Sequence, residues 1–336
     1  MLPGQTVSSF GSVSEGLATS FRAQSCRVRS VPRRPQDVDL RVVRRDPLAA
    51  VVAPPEPAES LDLHALHVGR DELCRPATMP VLYASTLLAG EPGAGKSSAI
   101  WSYLLAMAPG IRAGLVQVWA IDAKGGMELS MGQPLFRRAA FGEGAEGAAW
   151  QADIADLLDE AVQVMQRRQA VLRGVSRKHV PTTAEPLIVV LIDELAAITS
   201  YITDNALKKR INAALSLLLS QGRAPGVSVI AATQDPRKEV VQMRDLFTHR
   251  IAFRTAEADT GDLILGDGAR ARGALTAAIP TSTPGVAYLV ADGEPEPVRF
   301  RFFFMVDADI RRLVERVRRP RLVVSSEEPY RPGDAA

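Results

Sequence analysis

The stretch LLAGEPGAGKSSAIW (residues 87–101) decides how this chain folds. Gly90, Gly95, Lys96 and Ser97 satisfy G-x-x-x-x-G-K-[ST], the spacing at which a loop wraps phosphates while a helix begins beneath them. Backbone N–H groups of a glycine-rich loop approach phosphate oxygens closely, a lysine adds a point charge to the β and γ oxygens, and a hydroxyl serves Mg²⁺. The expected nucleotide set is therefore Gly90, Glu91, Pro92, Gly93, Ala94, Gly95, Lys96, Ser97 and Ser98, with Ser97 also on the metal. The flanks agree: MPVLYASTLLAG (79–90) reads as a buried strand and KSSAIWSYLLAMA (96–108) as a helix closed by Pro109 and Gly110. Strand, loop and helix stand in the order that binds ATP or GTP.

A second apolar run, LIVVLIDEL (187–195), ends in two adjacent acids. In a parallel sheet ligands sit at the carboxyl ends of the strands, so Asp193 and Glu194 should emerge beside the phosphate loop. Asp193 is expected in the Mg²⁺ shell and Glu194 on the attacking water, the positioning role that dominates phosphoryl transfer. Two acids opening a helix would explain a surface pair, but not a pair that follows an unbroken buried strand. The next strand, VSVIAATQDP (227–236), carries Thr233 and Gln234 at its tip, where a polar side chain can sense the γ-phosphate or its water. Arg223 and Arg250 flank that strand, and either suits a finger that enters a neighbouring subunit's site; a surface ion pair is the alternative for each.

Composition sets wider bounds. At 336 residues, 46% hydrophobic and 23% charged, the chain can bury one large α/β core with an appendage. Two cysteines, Cys26 and Cys74, make neither a disulfide framework nor a zinc cluster, which fits a reducing cytoplasm. No apolar run reaches the roughly 18 residues of a membrane span, and the N-terminus lacks a signal-peptide pattern. A net charge of +2 announces no nucleic-acid partner, so such a partner must be sought in local clusters, here residues 21–45 and 311–321. Either cluster alone reads better as a solvated charged face.

Along the chain, the Pro- and Ala-rich DPLAAVVAPPEPAES (46–60) reads as a linker. It divides an appendage (1–60), with two half-exposed strands in CRVRSV and VDLRVV, from a nucleotide domain (61–320) and a frayed tail (321–336). Strand runs STLLAG, LVQVWAI, LIVVLID, VSVIAAT and HRIAFRT alternate with helical runs, the βαβ pattern of a mostly parallel sheet. A long helix is expected after Gly147, ending at Gly174. GVAYLVADGEPEPVRFRFFFMV (285–306) reads as a hairpin, followed by a basic helix after Asp307.

The discriminating stretch is WAIDAKGGMEL (119–129), where a strand ends in Asp122 and Lys124, two glycines and Glu128 follow. Generic kinases and GTPases have no use for that combination. IDAKGGMEL resembles the D-x-K-x-x-E-L loop of the FtsK/SpoIIIE DNA-translocating motors. SQGRAPGVSVIAATQDP, FTHRIAFRT, LILGDGARARGAL and AVQVMQRRQAVL are similar to further segments of that family, and the wording is nearest to the plasmid-transfer motors of mycelial actinobacteria. The resemblance implies a RecA-like P-loop fold, a hexameric ring around double-stranded DNA, and ATP-driven translocation in conjugative transfer. It places Lys96 and Ser97 on phosphate and Mg²⁺, Asp193 and Glu194 on metal and water, and Gln234 as sensor. Asp235 departs from the arginine usual after Thr-Gln. The family's membrane helices and sequence-reading winged helix are not found, so membrane attachment would need a partner protein. Arg237, Lys238, Arg270 and Arg272 are candidates to grip phosphates. A secretion ATPase that moves protein, or a nucleotide-switched assembly factor, are the competing readings.

Overall fold

Six consecutive apolar residues, 187–192, form one strand and are all buried, which requires a sheet covered on both faces. The computed structural model describes residues 4–31, 33–56, 60–142, 149–234 and 243–318. Two short helices, α1 (Val7–Gly11) and α2 (Ser14–Ser20), precede an antiparallel hairpin of β1 (Ser25–Val31) and β2 (Arg34–Val43). Then come β3 (Leu66–Asp71), β4 (Pro76–Met79), β5 (Thr86–Ala89), α3 (Lys96–Arg112), β6 (Val116–Asp122), β7 (Phe136–Phe141) and α4 (Ala149–Leu172). β8 (Leu187–Ile192), α5 (Leu195–Thr199), α6 (Asn205–Gln221), β9 (Val227–Thr233), β10 (His249–Ala252) and α7 (Ala258–Leu265) follow. β11 (Val286–Ala291), β12 (Glu294–Phe302) and α8 (Asp307–Arg318) close the described chain.

The main sheet has ten strands in the order β4-β3-β12-β11-β10-β5-β9-β8-β6-β7. From β10 to β7 every pairing is parallel, and from β10 to β4 every pairing is antiparallel. The phosphate-loop strand β5 lies between β10 and β9, with β8 one strand further on. This is the strand order of a RecA-like P-loop ATPase, extended by an antiparallel wing. Side chains alternate between two cores: Leu87, Ile188, Val190 and Ile192 meet α4 and α6, while Leu88, Val189 and Leu191 meet α3 and α8.

Three readings of the sequence need correction. The strand of residues 79–90 is confined to Thr86–Ala89, because Tyr83 adopts a left-handed φ of 61° and donates its hydroxyl to His179 O at 2.6 Å. The first helix does not close at Pro109 but runs through it to Arg112. Proline's fixed φ is helical, and within the last turn its missing N–H costs one bond rather than the helix. The third correction concerns residues 46–60, read as a linker. Leu48 is fully buried and Val52 nearly so, each in one of the two cores. Asp46 receives both Arg299 guanidinium nitrogens at 2.7 and 2.5 Å, and buried Arg301 donates to the carbonyls of Leu48, Ala49 and Pro284. Residues 46–52 are thus a strap clamped on β12. The expected tail (321–336) lies outside the described residues.

β3, β4 and β7 carry too few alternating apolar residues to stand out in the sequence. β3 sits so tightly on β12 that a Cβ on Gly69 would meet Arg301 O at 2.0 Å. Glu72, in the turn after β3, binds Arg27 and Arg41 and so ties the N-terminal hairpin to the wing.

The strap predicts an asymmetric response to truncation. Leu48→Ala should cost about 3 kcal/mol of unfolding free energy by loss of burial and a residual cavity, whereas exposed Val51→Ala should stay within about 0.5 kcal/mol. Urea unfolding of the two variants decides it; equal, small losses would make the segment a linker after all.

Candidate nucleotide-binding site

β5 ends at Ala89, and residues 90–95 turn back over the N-terminus of α3. Gly95 has φ 107°, and a Cβ there would lie 2.3 Å from Gly285 N, so only glycine fits. Gly285 N also donates to Ala94 O at 2.8 Å, which props the loop against the turn before β11. Lys96 Nζ donates to Gly90 O at 2.7 Å and Glu91 O at 2.8 Å, filling the cup with its own cation. Burial and the neighbouring charge of Lys124 lower its pKa to about 8, although Glu194 and Asp193 pull the other way. A lysine so placed gains charge partners when phosphate enters.

Asp193 and Glu194 emerge at the tip of β8, both buried, beside that cup. Glu194 Oε2 accepts from Lys124 Nζ at 2.9 Å, and its Oε1 accepts from the backbone amide of Gln234 at 3.1 Å. Asp193 lies 4.0 Å from Lys124 Nζ, and its Oδ2 is buried without a hydrogen-bond partner. Burial and the adjacent Asp122 raise its pKa to about 7. Such an orphaned carboxylate oxygen suits a cation. Among the described residues no group of three or more His, Cys, Asp or Glu could hold a metal alone. A magnesium ion carried on phosphates needs only one or two protein ligands, and Asp193 and Ser97 are residues of the right chemistry to hold it.

Lys124 is aimed by Asp122. That fully buried carboxylate accepts the backbone amides of Lys124 at 3.0 Å and of Glu128 and Leu129 at 3.1 Å, winding residues 123–129 into a fixed turn. Burial tends to lower the Lys124 pKa, but the hydrogen bond and charge of Glu194 prevail and raise it. The resulting cleft has a volume of about 450 Å³, with Lys96, Ser97, Lys124, Glu128, Asp193 and Gln234 on its wall.

The structure brings together Gly93, Gly95, Lys96, Ser97, Ser98, Asp193, Glu194 and Gln234. It does not bring Arg223 or Arg250 to the same cleft. Arg250, on β10, pairs with Asp245 at 3.1 Å. Arg223 precedes β9, at the opposite end of a strand that ends beside the loop, roughly 20 Å away at about 3.3 Å per residue. Arg254, at the carboxyl end of β10, reaches this site instead: it holds Glu91 of the loop at 2.8 Å. Arg270 pairs with Asp259 on α7, and Arg272 donates to Asp267 O and to Pro295 O on β12, so both are engaged within the chain. Arg237 and Lys238 lie outside the described residues. Sequence reasoning flagged the stretch holding Asp122 and Lys124 but gave neither a role; a buried acid two residues before a lysine at a strand end was the available signal. Nothing in the sequence distinguished Arg254 from Arg250.

Asp122→Ala leaves three amides without an acceptor and should cost about 3 kcal/mol or more, with faster hydrogen exchange at Lys124, Glu128 and Leu129; unchanged exchange would refute the turn. Asp193 yields a pH prediction for the nucleotide-free protein. Its pKa is higher folded (about 7) than its ordinary value of 3.8, so the folded state holds an extra proton between them. Its contribution is fully present below pH of about 4 and lost as pH rises through about 7. Asp193→Asn should flatten that part of the stability profile relative to the parent, and parallel profiles would show Asp193 ionised throughout.

The FtsK/SpoIIIE family model matches residues 60–275. Among solved structures, the pCW3 conjugation coupling protein TcpA in its monomer form with ATPγS is similar at 18% identity and a TM-score of 0.66, over 94% of this chain and 87% of that one. The cytoplasmic domain of the type VII secretion ATPase EccC of Thermomonospora curvata is similar at 22% identity and a TM-score of 0.58, over 80% of this chain and 32% of that one. ATPases 2 and 3 of EssC from Geobacillus thermodenitrificans match at 15% identity and a TM-score of 0.58, over 80% and 51%. A search of curated proteins found no match. No helix among the described residues is long and apolar enough to cross a membrane. The family model spans more than half of the sequence, from ahead of β3 past the phosphate loop and the acid pair to the loop after α7, and the chain belongs to the FtsK/SpoIIIE family of P-loop ATPases.

Proposed function

We propose that this chain is an ATP-driven translocase of double-stranded DNA, acting as a homo-oligomeric ring, a hexamer, in the transfer of a conjugative plasmid or element. The observation that carries the reading is the position of Glu194, held between Lys124 Nζ and the Gln234 amide. One carboxylate thereby joins the D-x-K loop to the tip of the next strand. When a γ-phosphate arrives, its charge competes with Glu194 for Lys124. Glu194, released, orients the water that attacks phosphorus, and Gln234 passes the change to the chain beyond. Lys96 exchanges the two loop carbonyls for β and γ oxygens, and loop amides bind the remainder. Ser97 and Asp193 would hold Mg²⁺, which would supply positive charge against the phosphates. Arg250, or else Arg223, enters a neighbouring subunit's cleft, which makes hydrolysis depend on the ring. Residues 61–320 form the motor, and the preceding hairpin rides on it through the strap.

Support for DNA as cargo comes from the extent of similarity. The likeness to a conjugation coupling protein runs over 94% of this chain and 87% of that one, at a TM-score of 0.66. The site of action is the cytoplasm, and any attachment to the membrane face is through a partner protein.

Steady-state ATPase measured with and without long duplex DNA tests the proposal. Duplex should raise turnover, activity per subunit should rise with protein concentration, and binding should weaken by about 0.9 log units per tenfold rise in salt for each phosphate neutralised. Lys96→Ala should lose nucleotide binding, while Glu194→Gln should bind ATP and turn over roughly 10²-fold more slowly or worse. A rate indifferent to duplex but raised by a secretion-substrate peptide would overturn DNA translocation. Parent-like hydrolysis by Glu194→Gln would overturn the site.

A further inference from the structure

The cleft wall opposite in character to the phosphate-binding groups is aromatic. Beyond β12 the chain crosses the first turns of α3 in extended form: Phe303 N donates to Val68 O at 3.1 Å, Phe304 N to Val52 O at 2.8 Å, and Met305 N to Ser98 Oγ at 3.3 Å. Ser102 Oγ reaches Phe303 O at 3.4 Å. Extended backbone alternates its side chains. Phe303 and Met305 turn into the core, and Phe303 stands edge-on to His67 with centroids 4.9 Å apart. Phe304, between them, is left 43% exposed and lines the same cleft as Lys96, Ser97 and Ser98. A phenyl ring in water is unfavourable, and its backbone has no freedom to withdraw it. The segment is anchored to Ser98, next in sequence to the proposed magnesium ligand Ser97.

We propose that Phe304 is the platform on which the nucleobase of the bound nucleoside triphosphate stacks. The inference rests on the nucleotide-site reading above and deepens it. A triphosphate whose phosphates occupy residues 90–97 must lay its ribose and base beyond the loop, and the cleft's volume of about 450 Å³ leaves room for them. The faces of both rings are apolar, so their contact removes water from each, and stacking of this kind asks for a π-face rather than a particular hydrogen-bonding edge. Phe303 cannot serve, because its ring is already packed. The 303–305 segment is itself pinned to α3, to β3 and to the strap, which holds the platform at a fixed height above the phosphate cup.

The test compares ATP with inorganic tripolyphosphate, which carries the phosphates without the base, in calorimetric titrations of the parent, Phe304→Ala and Phe304→Trp. Phe304→Ala should weaken ATP binding roughly tenfold and leave tripolyphosphate affinity unchanged. Phe304→Trp should retain ATP affinity, and the added indole emission, taken as the difference from the parent, should be quenched by ATP and not by tripolyphosphate. Unfolding midpoints matching the parent will show that the exposed position carries no fold stability. Phe304→Ala binding ATP like the parent, or losing ATP and tripolyphosphate alike, overturns the platform while leaving the phosphate site standing. A parent that binds neither ligand overturns both.

Discussion

Two carboxylates placed side by side at the end of a fully buried strand must be compensated, and most of this site follows from how that is done. Asp193 and Glu194 follow directly on β8 and are largely buried. Glu194 is neutralised by Lys124 and capped by an amide of the neighbouring strand tip. Asp193 Oδ2 is left without a hydrogen bond, and burial with the nearby Asp122 raises the pKa of this carboxyl to about 7. Lys124 in turn is in place only because Asp122, also buried, winds the following loop around three amide donors. The charges form a chain of dependence from β6 through β8 to β9. A site assembled this way responds as a unit when one more anion enters it, because Lys96, Lys124 and Glu194 are already engaged and something must let go.

The phosphate loop is held from the other side by parts of the chain far from it in sequence. Arg301 reaches from β12 to Leu48 and Ala49 of the strap and to Pro284, next to the Gly285 that props Ala94. Burying an arginine is costly unless its donors are used, and here three carbonyls and the backbone turn they belong to are brought into line. The N-terminal hairpin, bound through Glu72 and Asp46, therefore connects to the loop by rigid contacts rather than by a tether.

The glycine-lysine-serine loop, the acid pair and the five parallel strands named from apolar runs were legible because each has a strong one-dimensional signature. The hairpin of β11 and β12 was legible too, closing at Asp292-Gly293. What escaped has no such signature. The wing strands β3 and β4 are short and mixed, and their place is set by β12, more than two hundred residues later. The strap looked like a linker because proline and alanine say nothing about whether Leu48 finds a pocket. Pro109 stayed inside a helix because only its last turn was affected. Asp122 and Lys124 stood in a stretch recognised as distinctive, yet their bond to Glu194 exists only across the sheet. Arg254 and Phe304 were invisible as site residues for the same reason: each acts through what it faces.

The pairing of β3 with β12 bears on synthesis. Residues 69–71 pair with residues 300–302, so the wing cannot be completed until almost the entire motor has left the ribosome. Until then β3 and β4 form a two-stranded ribbon, marginal alone, and the strap has neither Arg299 nor Arg301 to grasp. Pairings this distant in sequence are closed late, because the entropy of the intervening loop must be overcome before they are rewarded. The phosphate cup is propped by Gly285, from the same late part of the chain, so its full support waits until the strap and residues 284–302 have met.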